Sequence, residues 1–118
     1  MSFGVWVGIA VLGGTGAVLR HVLDAAIAAR SNHFLPWGIF TVNVSGAFAL
    51  GVLAGADAVP DVYQVAGVGL LGAYTTFSTW MLQVEVLRRD GRPGRARLYV
   101  LLSLVCGLAA VALGRALA

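Results

Sequence analysis

The sequence predicts an all-α membrane protein with four transmembrane helices, on three observations. Of its 118 residues, 59% are apolar and only 11% are charged, whereas ordinary soluble domains carry roughly 25% charged residues. Several uncharged stretches reach the roughly 20 residues that a helix needs to cross a bilayer core. Most of the charged residues lie between these stretches. Four crossings occupy nearly the whole length, so we expect one transmembrane domain over residues 1–118 without an added soluble domain.

The first two helices are predicted at about 3–29 and 36–56. The first is uncharged as far as Leu19, and its apolar pattern resumes beyond Arg20, which makes it long enough to span with some tilt. The second begins at Pro36, a residue that favours the start of a helix, and continues for 21 residues without a charge.

The third and fourth helices are predicted at about 62–87 and 96–117. The third has 23 uncharged residues before Glu85, but the run Gly72-Ala73-Tyr74-Thr75-Thr76 interrupts it near its middle. Irregular backbone at membrane depth occurs where freed carbonyls or hydroxyls coordinate an ion. We therefore expect a broken third helix.

Arginines are distributed unevenly between the two sides of this topology. Alternating crossings place six arginines near span ends on one side and Arg115 on the other. The positive-inside rule then assigns the six to the cytoplasm and the termini to the outside. Five of the six lie between Arg88 and Arg97, in a loop without interleaved aromatic residues. The net charge of +3 therefore does not indicate nucleic-acid binding.

Polar side chains at membrane depth are the candidates for function, because they are costly in hydrocarbon and usually face a partner or a water-filled path. Asn43 lies inside the second helix and suits either an interhelical hydrogen bond or contact with a ligand. The segment 75–79 places four hydroxyls around Phe77. Phe77 and Trp80 share a helix face, either as packing or as ring edges that face an anion.

The remaining candidates lie on the first and last helices. Arg20 either reaches the interface and pairs with Asp24, or attracts anions at a vestibule. Tyr99 and Ser103 are four residues apart and present hydroxyls on one face. The sequence contains no nucleophile elbow and no paired carboxylates, so we do not expect an enzyme.

Three blocks of sequence carry a family resemblance. They are Gly13-Gly14-Thr15-Gly16-Ala17-Val18-Leu19-Arg20-His21, Thr41-Val42-Asn43-Val44-Ser45-Gly46-Ala47-Phe48 and Gly69-Leu70-Leu71-Gly72-Ala73-Tyr74-Thr75-Thr76-Phe77-Ser78-Thr79. In this order they resemble the signature blocks of the CrcB/Fluc fluoride ion channels. The resemblance covers essentially the whole chain and agrees with the family in length and number of spans.

The resemblance implies a fluoride-selective channel in the inner cell membrane, which exports cytoplasmic fluoride by passive electrodiffusion. It implies an antiparallel, dual-topology dimer with two pathways and a structural sodium ion at its centre. The backbone carbonyls of Gly72 and Thr75 would hold that sodium, and Arg20 would lie in a vestibule. The implied fluoride pathway comprises Asn43, Phe77, Trp80, Ser78, Thr79, Tyr99 and Ser103.

Three departures distinguish this chain from the family pattern. Trp80 stands where a second phenylalanine is usual, and Gln83 stands where a glutamate is common. The arginine bias favours one fixed orientation, so the second subunit is either a copy of this chain or a paralogous chain in the opposite orientation. Two other functions remain open: a small multidrug-resistance-type transporter, which needs a buried carboxylate in the first span, and a non-transporting assembly protein.

Overall fold

The fold is a bundle of helices with short connections, described for residues 2–57 and 59–118 in the computed structural model. We label the helices α1 (Phe3–Arg30), α2 (Trp37–Gly55), α3 (residues 60–74), α4 (Ser78–Arg89) and α5 (Pro93–Leu117). With α3 and α4 taken together as one span, four helical segments are long and apolar enough to cross a membrane. This confirms the predicted all-α fold with four spans and a broken third.

The third span breaks later than the sequence indicated. Gly72–Tyr74 is still helical, and the irregular residues are Thr75, Thr76 and Phe77. Thr75 has extended backbone, with φ −78° and ψ 156°. The helix continues to Tyr74 because the N–H of Thr75 still donates to the carbonyl of Leu71, at 3.0 Å. The interruption predicted from Gly72 therefore starts three residues too early.

Most of α3 has wide turns. Tyr63–Leu71 is π-helical, between the α-helical turns Pro60–Val62 and Gly72–Tyr74. Such turns are rare and frequently occur near functional sites. Nothing in the hydrophobic pattern of this stretch indicated them.

The fourth span, α5, begins at Pro93, three residues before the start that the sequence predicted for it. A proline in the first turn of a helix loses no hydrogen bond, because that N–H has no partner within the helix. The turn before it is closed by Gly91, whose φ is +74°. There Arg92 N–H donates to the carbonyl of Leu87 and Gly91 N–H to that of Arg88, as in a Schellman motif.

Glycines allow the helices to pack backbone against backbone. A Cβ placed on Gly16 of α1 would collide with the carbonyl oxygen of Leu70 in α3, and one on Gly114 of α5 would collide with that of Phe48 in α2. Small residues at such crossings let transmembrane helices approach closely. Gly16 and Gly114 therefore permit close contact between helix backbones at these two crossings.

We expect Gly16→Ala to destabilise the purified protein, because the new methyl group meets backbone that cannot rotate away. Overpacking of this kind costs about 1–3 kcal/mol. Gly14→Ala, on the same helix, is the matched control, since a Cβ there meets nothing within 4 Å. Thermal unfolding in detergent should show a lower midpoint for Gly16→Ala alone. Equal midpoints for the two variants would contradict the close α1–α3 contact.

A small apolar core lies at the arginine-rich end of the bundle. Its buried residues are Leu35, Leu87, Ala96 and Tyr99, and the ring of Trp80 packs against them. This core joins α4 to α5 and to the segment that precedes α2. It therefore holds the second half of the broken span in place while the break itself stays irregular.

Candidate ion site at the broken helix

The side-chain amide of Asn43 binds the break from the neighbouring helix. Its Oδ1 accepts a hydrogen bond from the N–H of Thr76 at 2.9 Å, and its Nδ2 donates to the carbonyl oxygen of Thr76 at 3.0 Å. Thr76 is only 8% exposed, so both of its backbone groups are satisfied away from solvent by one side chain. Asn43 thus takes the place of two helical hydrogen bonds.

This binding leaves two carbonyl oxygens of the span without their usual helical donors. In a continuous α-helix the N–H of Thr76 would bond to Gly72 and that of Thr79 to Thr75. Here Asn43 takes the first N–H, and the hydroxyl of Thr76 accepts the second at 3.3 Å. Within the described residues, the carbonyls of Gly72 and Thr75 therefore lack the donors that a continuous helix would give them. Carbonyl oxygens of unwound backbone serve as Na⁺ ligands in membrane proteins.

Hydroxyl groups cap both ends of the break. The Oγ1 of Thr75 donates to the carbonyl of Leu71 at 3.0 Å, at the end of α3. The Oγ1 of Thr76 accepts from Thr79 N–H in the first turn of α4, and Ser78 Oγ lies 3.4 Å from it. The bond from Thr79 N–H satisfies a first-turn donor that would otherwise be unpaired in hydrocarbon, whereas the Leu71 carbonyl also accepts from Thr75 N–H.

A cavity of about 360 Å³ opens beside the break. Five of the predicted site residues line it, namely Asn43, Gly72, Thr75, Phe77 and Trp80. The rings of Phe77 and Trp80 are edge to face, with centroids 5.7 Å apart and planes at 78°. Phe77 is 69% exposed, so most of its ring is not packed against the rest of the chain.

The hydroxyls predicted on the last helix lie elsewhere. Tyr99 is fully buried in the core at the arginine-rich end, and its hydroxyl donates to Oε1 of Gln83 at 2.8 Å. Ser103 Oγ and Trp80 Nε1 are buried without a hydrogen-bond partner among the described residues. Neither Tyr99 nor Ser103 lines the cavity, although Tyr99 belongs to the core against which Trp80 packs, and their place on a fluoride path stays a prediction.

Arg20 does not form the ion pair that its spacing suggested. Within residues 2–57 and 59–118, the salt bridges join Glu85 to Arg88 and Arg89. The side chain of Asp24 instead lies against Gly38, where a Cβ would collide with it. Arg20 is half-buried on α1, and its assignment to a vestibule stays a prediction.

Two features of this region were not assigned from the sequence. Thr76 is the hydrogen-bond partner of Asn43, whereas the sequence indicates it only as one of the four hydroxyl residues in segment 75–79. The hydroxyls of Ser45 and Tyr74 lie 2.8 Å apart and link α2 to the end of α3. Both pairings join residues about 30 positions apart, so local pattern could not reveal them. The signal available was the presence of polar residues on both spans at similar depth.

Comparison with known proteins assigns the family. The model of the family described as "CrcB-like protein, Camphor Resistance (CrcB)" matches residues 7–115. The chain belongs to the CrcB family. This CrcB chain is 43% identical over 115 residues to "Fluoride-specific ion channel FluC 2" of Mycobacterium tuberculosis, which covers 98% of the chain and 91% of that protein.

Two further relatives carry the same description. "Fluoride-specific ion channel FluC 1" of Symbiobacterium thermophilum is 42% identical, over 95% of each chain. "Fluoride-specific ion channel FluC" of Rhodospirillum centenum is 38% identical, over 92% of this chain and 90% of its own. These relatives are described as ion channels, which confirms that the CrcB chain is not an enzyme, and its four apolar spans make it a multi-pass membrane protein.

Proposed function

We propose that this CrcB chain forms a fluoride-selective channel in the inner cell membrane, and that fluoride crosses it by passive electrodiffusion. The observation that carries the proposal is the double hydrogen bond from Asn43 to Thr76 beside an open cavity. It explains how a span stays broken at membrane depth and where donors and carbonyls become available. The relatives described as fluoride-specific channels support the choice of ion.

Fluoride is small and strongly hydrated, so a selective path must replace its water with closely placed donors. The Nδ2 group of Asn43 carries two N–H bonds, and Thr76 uses one of them. The buried N–H of Trp80 and the hydroxyl of Ser103 have no partner within the described part of the chain. The ring edge of Phe77 carries positive potential. The groups of Asn43, Trp80 and Phe77 belong to residues that line the cavity, and they can meet a partly dehydrated anion there.

The freed carbonyls of Gly72 and Thr75 fit a structural sodium ion. The ion would supply positive charge at the centre of the assembly and would link the broken span of one subunit to that of the other. The same carbonyls from a second subunit would complete its oxygen shell, since two ligands are too few for an alkali cation in hydrocarbon. The chain's own contribution is to keep both carbonyls unpaired, which the hydrogen bonds of Asn43 and Thr76 do.

The site calls for a second subunit. Phe77 is 69% exposed and Gly72 is exposed, although both line the cavity beside the break. An aromatic pathway residue that projects from its own subunit needs a wall from another one. We propose an antiparallel dimer, which is the arrangement that the family resemblance implies. The break lies near the middle of its span, so two oppositely oriented copies can also bring their breaks to the same depth.

The identity of the second subunit depends on the arginine bias. A chain with six arginines on one side and one on the other has a preferred orientation. A homodimer would need this chain to insert both ways, whereas a paralogous subunit with the opposite bias would not. The resting potential, which is negative inside, drives anions outward through either kind of dimer.

Efflux from liposomes tests the function directly. Vesicles that hold the purified chain alone and are loaded with fluoride should release it when the membrane is made permeable to potassium. A fluoride electrode gives the rate, and chloride-loaded vesicles should release at least about 100-fold less. Vesicles prepared without sodium, from protein purified without sodium, should release fluoride more slowly.

The same assay separates the alternatives. Robust fluoride efflux from the chain alone would establish that it works as a homodimer and would exclude an obligatory paralogue. Efflux that appears only when an oppositely biased paralogue is co-expressed would establish the pair. Proton-coupled release of an organic cation would indicate a multidrug-type transporter, and no flux in any combination would indicate an assembly protein.

A further inference from the structure

A second cavity lies at the arginine-rich end, away from the broken helix. It is a groove of about 490 Å³ between α4 and α5. It is lined by Val84, Arg88, Pro93, Ala96, Arg97, Val100 and Leu101. The ion site described above uses none of these residues.

The groove changes from cationic to apolar along its length. Arg88 and Arg97 lie on the turns nearest the loop, whereas Val84 and Leu101 are each four residues further from it. Four residues of helix correspond to about 6 Å along the axis. Two guanidinium groups therefore lie about one turn closer to the membrane surface than the apolar side chains.

The cationic end of the groove has more arginines than carboxylates to neutralise them. Five arginines against Glu85 and Asp90 leave a net charge of +3 over residues 85–97. The carboxylate of Glu85 accepts two hydrogen bonds from Arg88, from Nε at 2.9 Å and from Nη2 at 2.6 Å, and one from Arg89. The Nη1 group of Arg88 is not used in these bonds. Arg97 donates only from Nε, to the carbonyl of Pro93 at 3.4 Å, among its described hydrogen bonds. The outer nitrogens of its guanidinium are open to an anion.

We propose that this groove binds one anionic phospholipid, with its phosphate between Arg88 and Arg97 and an acyl chain against Val84, Val100 and Leu101. Basic pockets between transmembrane helices are suited to anionic head groups, and the apolar floor adds the requirement for an acyl chain. The lipid would hold the arginine-rich end in the leaflet that is richer in anionic lipid. This inference depends on the membrane location of the chain and not on fluoride conduction.

Native mass spectrometry of the full-length protein with added lipid tests the site. Phosphatidylglycerol should remain bound as one adduct per subunit, and phosphatidylcholine should not. The double variant R88Q/R97Q should weaken phosphatidylglycerol binding about tenfold or more. R89Q/R92Q removes two charges from the same region but leaves the groove residues intact, and it should bind normally.

The apolar floor gives a second, independent test. Leu101→Trp fills the groove and should reduce the adduct, whereas Leu104→Trp, at an exposed position of the same helix outside the groove, should not. Equal losses of phosphatidylglycerol binding in R88Q/R97Q and R89Q/R92Q would overturn the proposed site. They would indicate that the lipid is attracted by the overall positive charge of this region. Displacement of the lipid by millimolar inorganic phosphate would show an anion site without lipid specificity. Loss of the dimer in Leu101→Trp would show that a second subunit, and not a lipid, covers the groove.

Discussion

Replacing Asn43 with alanine should reduce fluoride efflux by about 100-fold or more. The substitution leaves the N–H and carbonyl of Thr76 without their partner, in a residue that is 8% exposed. The N–H of Thr76 can then recover a bond only by donating to Gly72, as in a continuous helix. That change closes the break and removes one of the two free carbonyls. Two such hydrogen bonds, at about 1.5 kcal/mol each, correspond to about a factor of 100.

Two companion variants distinguish this mechanism from a general loss of folding. Asn43→Asp keeps an acceptor for Thr76 N–H, but its carboxylate has no donor for the Thr76 carbonyl and adds negative charge beside an anion path, so it should lose at least as much flux as Asn43→Ala. Thr15→Val is the matched control, because its hydroxyl is exposed and donates only to Val11 of its own helix, at 2.9 Å. Efflux at the unchanged rate from folded Asn43→Ala protein would contradict a role for Asn43 in the site.

Composition and uncharged length sufficed to predict the architecture. Spans longer than about 20 uncharged residues have few folding alternatives in a bilayer, since every backbone group must be paired internally. The same constraint makes Asn43 and the hydroxyls after Gly72 stand out as expensive, and the structure brings Asn43 and Thr75 to one cavity. Some of the site residues could therefore be predicted from residue type and from depth in the membrane.

The remaining details depend on which polar groups pair across helices. Gly72 looked like the start of the break, but a helix ends where its donors find other acceptors, and Asn43 reaches Thr76 rather than Gly72. Tyr99 and Ser103 share a face by spacing, yet Tyr99 donates to Gln83 beside the apolar core, and Ser103 Oγ has no partner among the described residues. Such choices depend on distances between spans, which the order of residues along one span does not contain.

Replacing Phe77 with leucine should lower fluoride efflux more than about tenfold while it leaves the subunit folded. The ring is 69% exposed in its own subunit, so little of the subunit's packing depends on it. Surface substitutions of this kind usually change the free energy of unfolding by about 0.5 kcal/mol or less. Leucine keeps an apolar side chain of similar reach but lacks the positive ring edge that can face an anion. The edge-to-face contact with Trp80 would be lost as well.

Leu82→Ala is the matched control for Phe77→Leu, because Leu82 is 62% exposed on α4, the helix that follows Phe77, and does not line the cavity. Efflux, the unfolding midpoint and the dimer fraction by size-exclusion chromatography should be measured on both variants. A dimeric, folded Phe77→Leu protein with slow efflux would place the ring on the anion path. Slow efflux that accompanies loss of the dimer would make Phe77 an interface residue and count against the path. Wild-type efflux from Phe77→Leu would remove the ring from the mechanism and leave the amide of Asn43 as the principal donor lining the cavity.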